Sequence, residues 1–440
     1  MTKDTHIIHR LNLEFDVPDE QTGRLLQDDA LRIFSNDVLP AIEKYLDKEW
    51  AGNGSVRVAQ MDIDLEQIRP EQFEDEFANM CVREFTGKIE KLLTKGLTER
   101  ESEHIPHESH TPDEKQLEQF LFFIQHGRLP WWAVHDEFFP DEEKILKNPL
   151  LSMGKYRQWL VYLLTKTPHA LDRLIHQFSG SFTARLLHLS IAGKEPVEGG
   201  IPPFPSATNS AGIAARREMW MQWLESLTAA YPSDGDSRDR QRKDPLPEQV
   251  GAGVKVQDEA PDQLIRDQQK AAEEGLFVNH AGLVLLHPFL ELCFKRCGLL
   301  GDKLFRDEDA QALAIYLLYY LATGKDNPYE HELVFHKYLC GMEPELPLPG
   351  KIHLSQPMLN EADELIRSAI DHWKVLKRTS PQGLREGFLD RKGKLILDGF
   401  QHRLVIEGKA IDVLLSRLPW GYGVVKLPWL KQLLIVDWNH

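Results

Sequence analysis

Cysteine is scarce in this chain: Cys81, Cys293, Cys297 and Cys340 are the four in 440 residues. Four scattered thiols exclude a disulfide-stapled secreted fold. Basic charge is also in deficit, with 52 Lys and Arg against 68 Asp and Glu, a formal net charge of -16. That balance argues against broad wrapping of nucleic acid, where phosphate neutralisation dominates affinity, although it leaves room for a local basic patch. Long apolar runs are missing as well. LVLLHPFLEL and ALAIYLLYYLA both fall short of the roughly 20 residues that cross a bilayer, so no membrane span is expected. The opening MTKDTHIIHRLNLEFDV has no apolar core of signal-peptide type, which predicts a cytoplasmic protein. Release into an extracellular assembly by cell lysis would leave no such mark. There is no Gly-x-Ser-x-Gly, Walker loop, His-Glu-x-x-His or Rossmann glycine set after a strand. No converging acid, base and stabilising group is nominated, so no enzyme and no cofactor is expected.

The chain has the length of two or three domains, and its 42% hydrophobic content is enough for a sizeable core. HIIHRLNLEFDV, residues 6–17, alternates as a strand does, and Pro18 ends it. Residues 22–48 show helical spacing, with Pro40 placed to break or kink the run. GSVRVAQMDIDLEQI, residues 54–68, alternates again, and residues 71–98 read as a helix. These segments predict a small β-α-β-α module over 1–98 whose two strands pair. A polar break follows at 99–113, then a helical region over 114–190 that contains LPWW. Residues 191–274 read as a Pro/Gly-rich and charged linker holding one short amphipathic helix, REMWMQWLESLTAA. From 275 to 440 the composition turns densely apolar, predicting a compact, mostly helical module with short strands. Gly324 stands where a helix C-cap suits. The fold class is therefore α+β and predominantly helical.

Two clusters invite a metal reading. Cys293 and Cys297 are four apart, with His287 and Cys340 elsewhere, whereas zinc takes three or four convergent ligands at recognised spacings. Leu290, Leu292 and Phe294 favour an ordinary buried helix there. His104, His107 and His110 lie in a polar stretch that favours a solvated linker, and His6 and His9, three apart on an expected strand, point to opposite faces. GAGVKV, residues 251–256, lacks the Lys-Ser/Thr ending and the following helix of a phosphate loop. No metal site is expected.

Leu-Pro-Trp occurs three times, at 129–131, 418–420 and 427–429, the last two flanking Gly-Tyr-Gly. Proline fixes φ and keeps the residue before it out of the helix. Each copy should therefore be a rigid bend that projects a large ring. Trp131, Trp132, Pro419, Trp420, Tyr422, Pro428 and Trp429 are the candidate packing or assembly residues. A packed corner, a partner-binding surface and a small-molecule pocket all remain open for them. A potassium-filter reading of Gly-Tyr-Gly fails without flanking membrane helices.

Segments GLFVNHAGLVLLHPFLELCFKRCGLL, ALAIYLLYYLATG, ELVFHKYLCGM, HWKVLKRTSPQGLREGFLDRKGKL, IDVLLSRLPWGYGVVKLPWL and VDW together resemble the end of the tape-measure proteins of contractile injection systems, the phage-tail-like particles of bacteria. HIIHRLNLEFDV, VLPAIEKYLD, VRVAQMDIDL and FLFFIQHGRLPWW resemble that family's opening segments. The resemblance implies a non-catalytic structural protein associating with the inner tube protein and the baseplate hub or spike. Such a protein helps start tube assembly and set tube length, and a homo-oligomer in the tube lumen is compatible with it. On the residues themselves, a soluble adaptor or chaperone-like binding module for a particle component is the alternative. Length is the point of departure, since even a fully helical 440-residue rod would span only about 660 Å. The stretch between the matching ends, about 190–270, is short and broken by Pro and Gly.

Overall fold

The structure, a computed structural model, describes residues 6, 8, 11–17, 19–49, 55–58, 60–95, 107–133, 141–152, 154–192, 203–205, 213–230, 275–350, 352–376, 378–399 and 401–438. His9, His104, GAGVKV and the linker sequence at 232–262 lie outside these residues. The chain forms two compact units, one of residues 1–118 and 131–138, the other of 119–130 and 139–440.

In the first unit, α1 (Glu20–Ile33), α2 (Leu39–Glu49) and α3 (Phe73–Lys95) surround Ala30, Ile33, Val38, Ile42, Phe73 and Phe77. Asp19 starts α1 by accepting the Thr22 N–H at 2.8 Å, satisfying one of the orphan donors of the first turn. Between α1 and α2 the helix widens into a π turn, Phe34–Val38, just ahead of Pro40. A proline ring crowds the carbonyl four residues back, and the wider turn relieves that clash without ending the run.

Residues 11–17 do not pair as a strand. Their apolar side chains are used on helices instead. Leu13 packs on the helical cluster, and the Phe15 ring lies 5.9 Å from Phe73 and 6.1 Å from Phe77. The second expected strand shrinks to β1 (Ser55–Val58), because Leu65 and Ile68 also turn onto the helices. Its partner is β2 (His107–His110), antiparallel, with Ser55 opposite His110. Part of the expected polar linker is thus a strand.

The second unit begins within α4 (Pro112–His126) and continues through α5 (Glu142–Leu146), α6 (Gly154–Lys166), α7 (Pro168–Gln177), α8 (Gly180–Ala192) and α9 (Ile213–Ala230). Trp220 and Trp223 of α9 pack on Leu171, Ile175, Ala184 and Leu187 of α7 and α8. Arg157 of α6 donates to the Ser190 and Ile191 carbonyls, supplying partners that the end of α8 lacks.

The largest core lies beyond residue 275. Its helices are α10 (His287–Arg296), α11 (Glu308–Thr323), α12 (Val334–Leu339) and α13 (Gln356–His372). Asp307 caps the start of α11, and Gly324 ends it in the left-handed conformation at φ 75°. A five-stranded sheet joins them: β3 (Leu276–Val278), β4 (Gly393–Leu397), β5 (His402–Ile406), β6 (Val424–Val425) and β7 (Leu434–Trp438), in the order β3-β4-β5-β7-β6. All neighbours are antiparallel except β5 and β7, which run parallel with Leu404 beside Val436. Parallel strands cannot be joined by a tight hairpin. The crossover between them, residues 407–433, contains a 3-10 segment (Ala410–Arg417) and then both C-terminal Leu-Pro-Trp bends.

Candidate functional site

The two bends hold opposite ends of one helix. Trp420 donates its indole N–H to the Leu285 carbonyl at 2.9 Å, just ahead of α10, and its ring meets Phe289 edge to face at 5.1 Å. Trp429 is 7% exposed and lies 5.4 Å from both Phe294 and Phe305. Its N–H reaches the Leu339 carbonyl at 2.7 Å, at the end of α12. Pro419 and Pro428 face outward while the following rings turn in. This is what a fixed φ before a large side chain produces: a rim of proline and an anchored ring.

Tyr422, between the bends, packs edge to face on Trp438 of β7 at 6.0 Å. His287 points to the same crossover, its Nε2 donating to the Gly421 carbonyl at 3.0 Å. Burial holds this imidazole below its ordinary pKa, and the Gly421 carbonyl opposes the shift. His287 is therefore committed to the clasp rather than to the cysteines. Cys293 on α10 and Cys297 at its C-cap are neighbours, and their mutual hydrogen bond raises the Cys293 thiol and lowers that of Cys297. Among the described residues no group of three His, Cys, Asp or Glu side chains could hold a metal ion. Trp420, Tyr422 and Trp429 thus share one crossover. Trp131 and Trp132, half-buried in a turn, belong to the other compact unit.

Two buried ionic nodes were not foreseen from the sequence. In the first, the Glu330 carboxylate accepts from Arg173 Nε at 3.2 Å and from Lys337 Nζ at 2.6 Å, and all three side chains are fully buried. Arg173 also donates to the carbonyls of Ile124, Gln125 and Glu345, and Lys337 to those of Pro344 and Leu346. Burial pulls Lys337 down to about 8, with Glu330 opposing that pull. This node ties the end of α4 and α7 to the segment around α12. In the second, Arg391 donates to Asp412 at 2.6 Å, and Asp412 also accepts the Trp438 indole N–H at 2.9 Å. It joins the start of the crossover to the strand that follows it.

Lys337 lies in ELVFHKYLCGM, which begins two residues after Glu330, and Arg391, Asp412 and Trp438 lie in GFLDRKG, IDVLL and VDW. The segments that resemble one family are thus the ones that meet in this core. The family model for the contractile injection system tape measure protein matches residues 5–438. The chain belongs to that family. No curated protein and no solved structure matches it. A tape measure protein of this family is a structural component of its particle, and the geometry described here is that of fastening. None of the described helices is long and apolar enough to cross a membrane.

Proposed function

We propose that this tape measure protein is a non-enzymatic assembly factor of a contractile injection particle, associating with the inner tube and the baseplate hub and helping to initiate the tube and set its length. The observation that carries this reading is the family match across 5–438. The inward anchoring of Trp420 and Trp429 supports treating residues 275–440 as a rigid assembly module, with the helical region at 114–190 and the linker at 191–274 ahead of it. Among the described residues the longest helix is α3, 23 residues, which spans only about 35 Å. In the particle the protein is made in the cytoplasm and leaves with the assembled structure on lysis.

Deleting the gene and imaging the particles tests the role. Absent tubes, or tubes of scattered length, are expected. Normal particles of unchanged tube length overturn it. Purified intact particles should contain the chain; a stable complex with a particle component outside the particle would instead support the adaptor reading.

A further inference from the structure

The end of α4 runs directly against the first ionic node. Gly127 closes the helix, its N–H reaching the Phe123 carbonyl at 2.7 Å, and takes the left-handed conformation at φ 68°. A Cβ at this position would stand 2.6 Å from Arg173 Nη2 and 2.7 Å from Glu330 Oε1. Only glycine lets the backbone come so close in that conformation. Arg128, the next residue, is therefore held beside the node by the chain itself.

Arg128 is 8% exposed, and its guanidinium lies over the Phe122 ring, 5.0 Å from the centroid. Its Nε and Nη2 are buried without a hydrogen-bond partner among the described residues. These two nitrogens share one edge of the planar group, the edge whose parallel N–H bonds match the two oxygens of a carboxylate. Burial pulls this guanidinium below its ordinary pKa, and Glu345 is near enough to oppose that pull. The Glu345 carboxylate nevertheless accepts from His126 Nδ1, at 2.9 Å, and makes no ion pair with Arg128. Arg128, Arg173 and Lys337 face only Glu330 and Glu345 here, three cations against two carboxylates, which leaves one positive charge in excess. A buried cation with no partner is costly, and the cost disappears when an anion arrives. The Glu345 side chain is 54% exposed, so the place opens to solvent on that side.

We propose that the Nε–Nη2 edge of Arg128 is a binding site for a single carboxylate supplied from outside this chain. The edge gives that carboxylate two parallel, charge-assisted hydrogen bonds, and the bound group cancels the excess charge. Phe122 keeps the guanidinium plane oriented, and the bend at Gly127 sets its place against the node, so little ordering is left to be done on binding. A phosphate monoester, at about −1.5 to −2 near neutral pH, would overshoot the single excess charge beside Glu345, whereas a carboxylate matches it. A small carboxylic acid and an Asp or Glu side chain of another protein present the same two oxygens to this edge.

Melting of the full chain in sodium acetate, against sodium chloride and sodium phosphate at equal ionic strength, tests it. Acetate should raise the midpoint in a saturable way beyond chloride and beyond phosphate. Arg128→Gln should lose that difference. Arg128→Lys keeps the charge without the fork and should weaken the apparent affinity for acetate by about tenfold or more; it carries the test if Arg128→Gln does not fold. An acetate response no larger than that of chloride overturns the proposal, as does one that both variants retain, and a larger response to phosphate overturns the choice of carboxylate. The source of the carboxylate is read from particles, an arm that rests on the particle role proposed above, as the acetate arm does not. A variant chain missing from purified particles assigns the carboxylate to another particle protein, and normal incorporation assigns it to a small molecule.

Discussion

Arg173 and Glu330, 157 positions apart, meet as a fully buried ion pair with Arg173 Nε 3.2 Å from both carboxylate oxygens. Lys337 completes the node from the other side. Removing one member of such a set leaves charge without compensation, which costs far more than the intact pair contributes. Glu330→Gln strands two cations in the core and should cost about 3–5 kcal/mol, read as a lowered denaturation midpoint. Replacing all three residues by apolar ones should recover part of that loss, though the carbonyls of Ile124, Gln125 and Glu345 would lose their donor.

Trp429→Ala should cost roughly 3–5 kcal/mol, because it empties a buried site among Phe294 and Phe305. Trp420 is only half-buried, so its truncation should cost less. Trp429→Phe keeps most of the packing and exposes the worth of the Leu339 hydrogen bond, about 1 kcal/mol. Thermal melting of the four proteins, parent included, gives the ranking. A larger loss from Trp420 than from Trp429 would contradict the clasp as described.

Gly282 and the Gly-Tyr-Gly glycines should behave in opposite ways. A Cβ on Gly282 would stand 1.7 Å from the Phe388 carbonyl oxygen, a backbone atom that cannot step aside. Gly421 and Gly423 have nothing within 4 Å of such a carbon, and neither has a positive φ. Gly282→Ala should therefore unfold or severely destabilise the module, while Gly421→Ala and Gly423→Ala should leave its melting within about 1 kcal/mol of the parent.

Acid should weaken the second unit. His280 and His336 are buried with their rings 5.1 Å apart, and Tyr319 lies against both. Burial pushes His280 down to about 4 and His336 well below its ordinary value, and the neighbouring His280 lowers the latter further. An unfolded chain takes up these protons near pH 6.5, its usual imidazole value of about that size. Between about 6.5 and 4 the unfolded state therefore binds more protons, so stability present at neutral pH is lost as pH falls through that window. For His280 the loss is on the order of 3 kcal/mol at the acid end, and His336 adds to it in the same direction. Urea midpoints should be flat above neutrality and drop below about pH 6. His336→Gln should flatten the slope.

Much of this architecture is legible in the residues. Helical spacing locates α3, α11 and α13, Gly324 ends α11 where a glycine cap suits, and the three prolines set the bends. Strand pairing is where local patterns fail. β3 has three residues and β6 two, too few to show alternation, and residues 11–17 alternate yet pack on helices. Buried charges fail for another reason: a lysine in an apolar run looks the same whether its partner is solvent or a glutamate far away in sequence. Lys337 between Phe335 and Leu339, and Arg173 between Leu171 and Leu174, are the hints that a polar group shares an apolar face.

The order β3-β4-β5-β7-β6 places the strand made last between two made earlier. During synthesis, β5 has no parallel neighbour and Asp412 no indole until residues 434–438 have left the ribosome. Until then β5 presents an open edge, and Asp412 is held only by Arg391 and the Lys409 N–H. Closure of the module therefore waits on β7, which supplies both the parallel neighbour of β5 and the indole for Asp412.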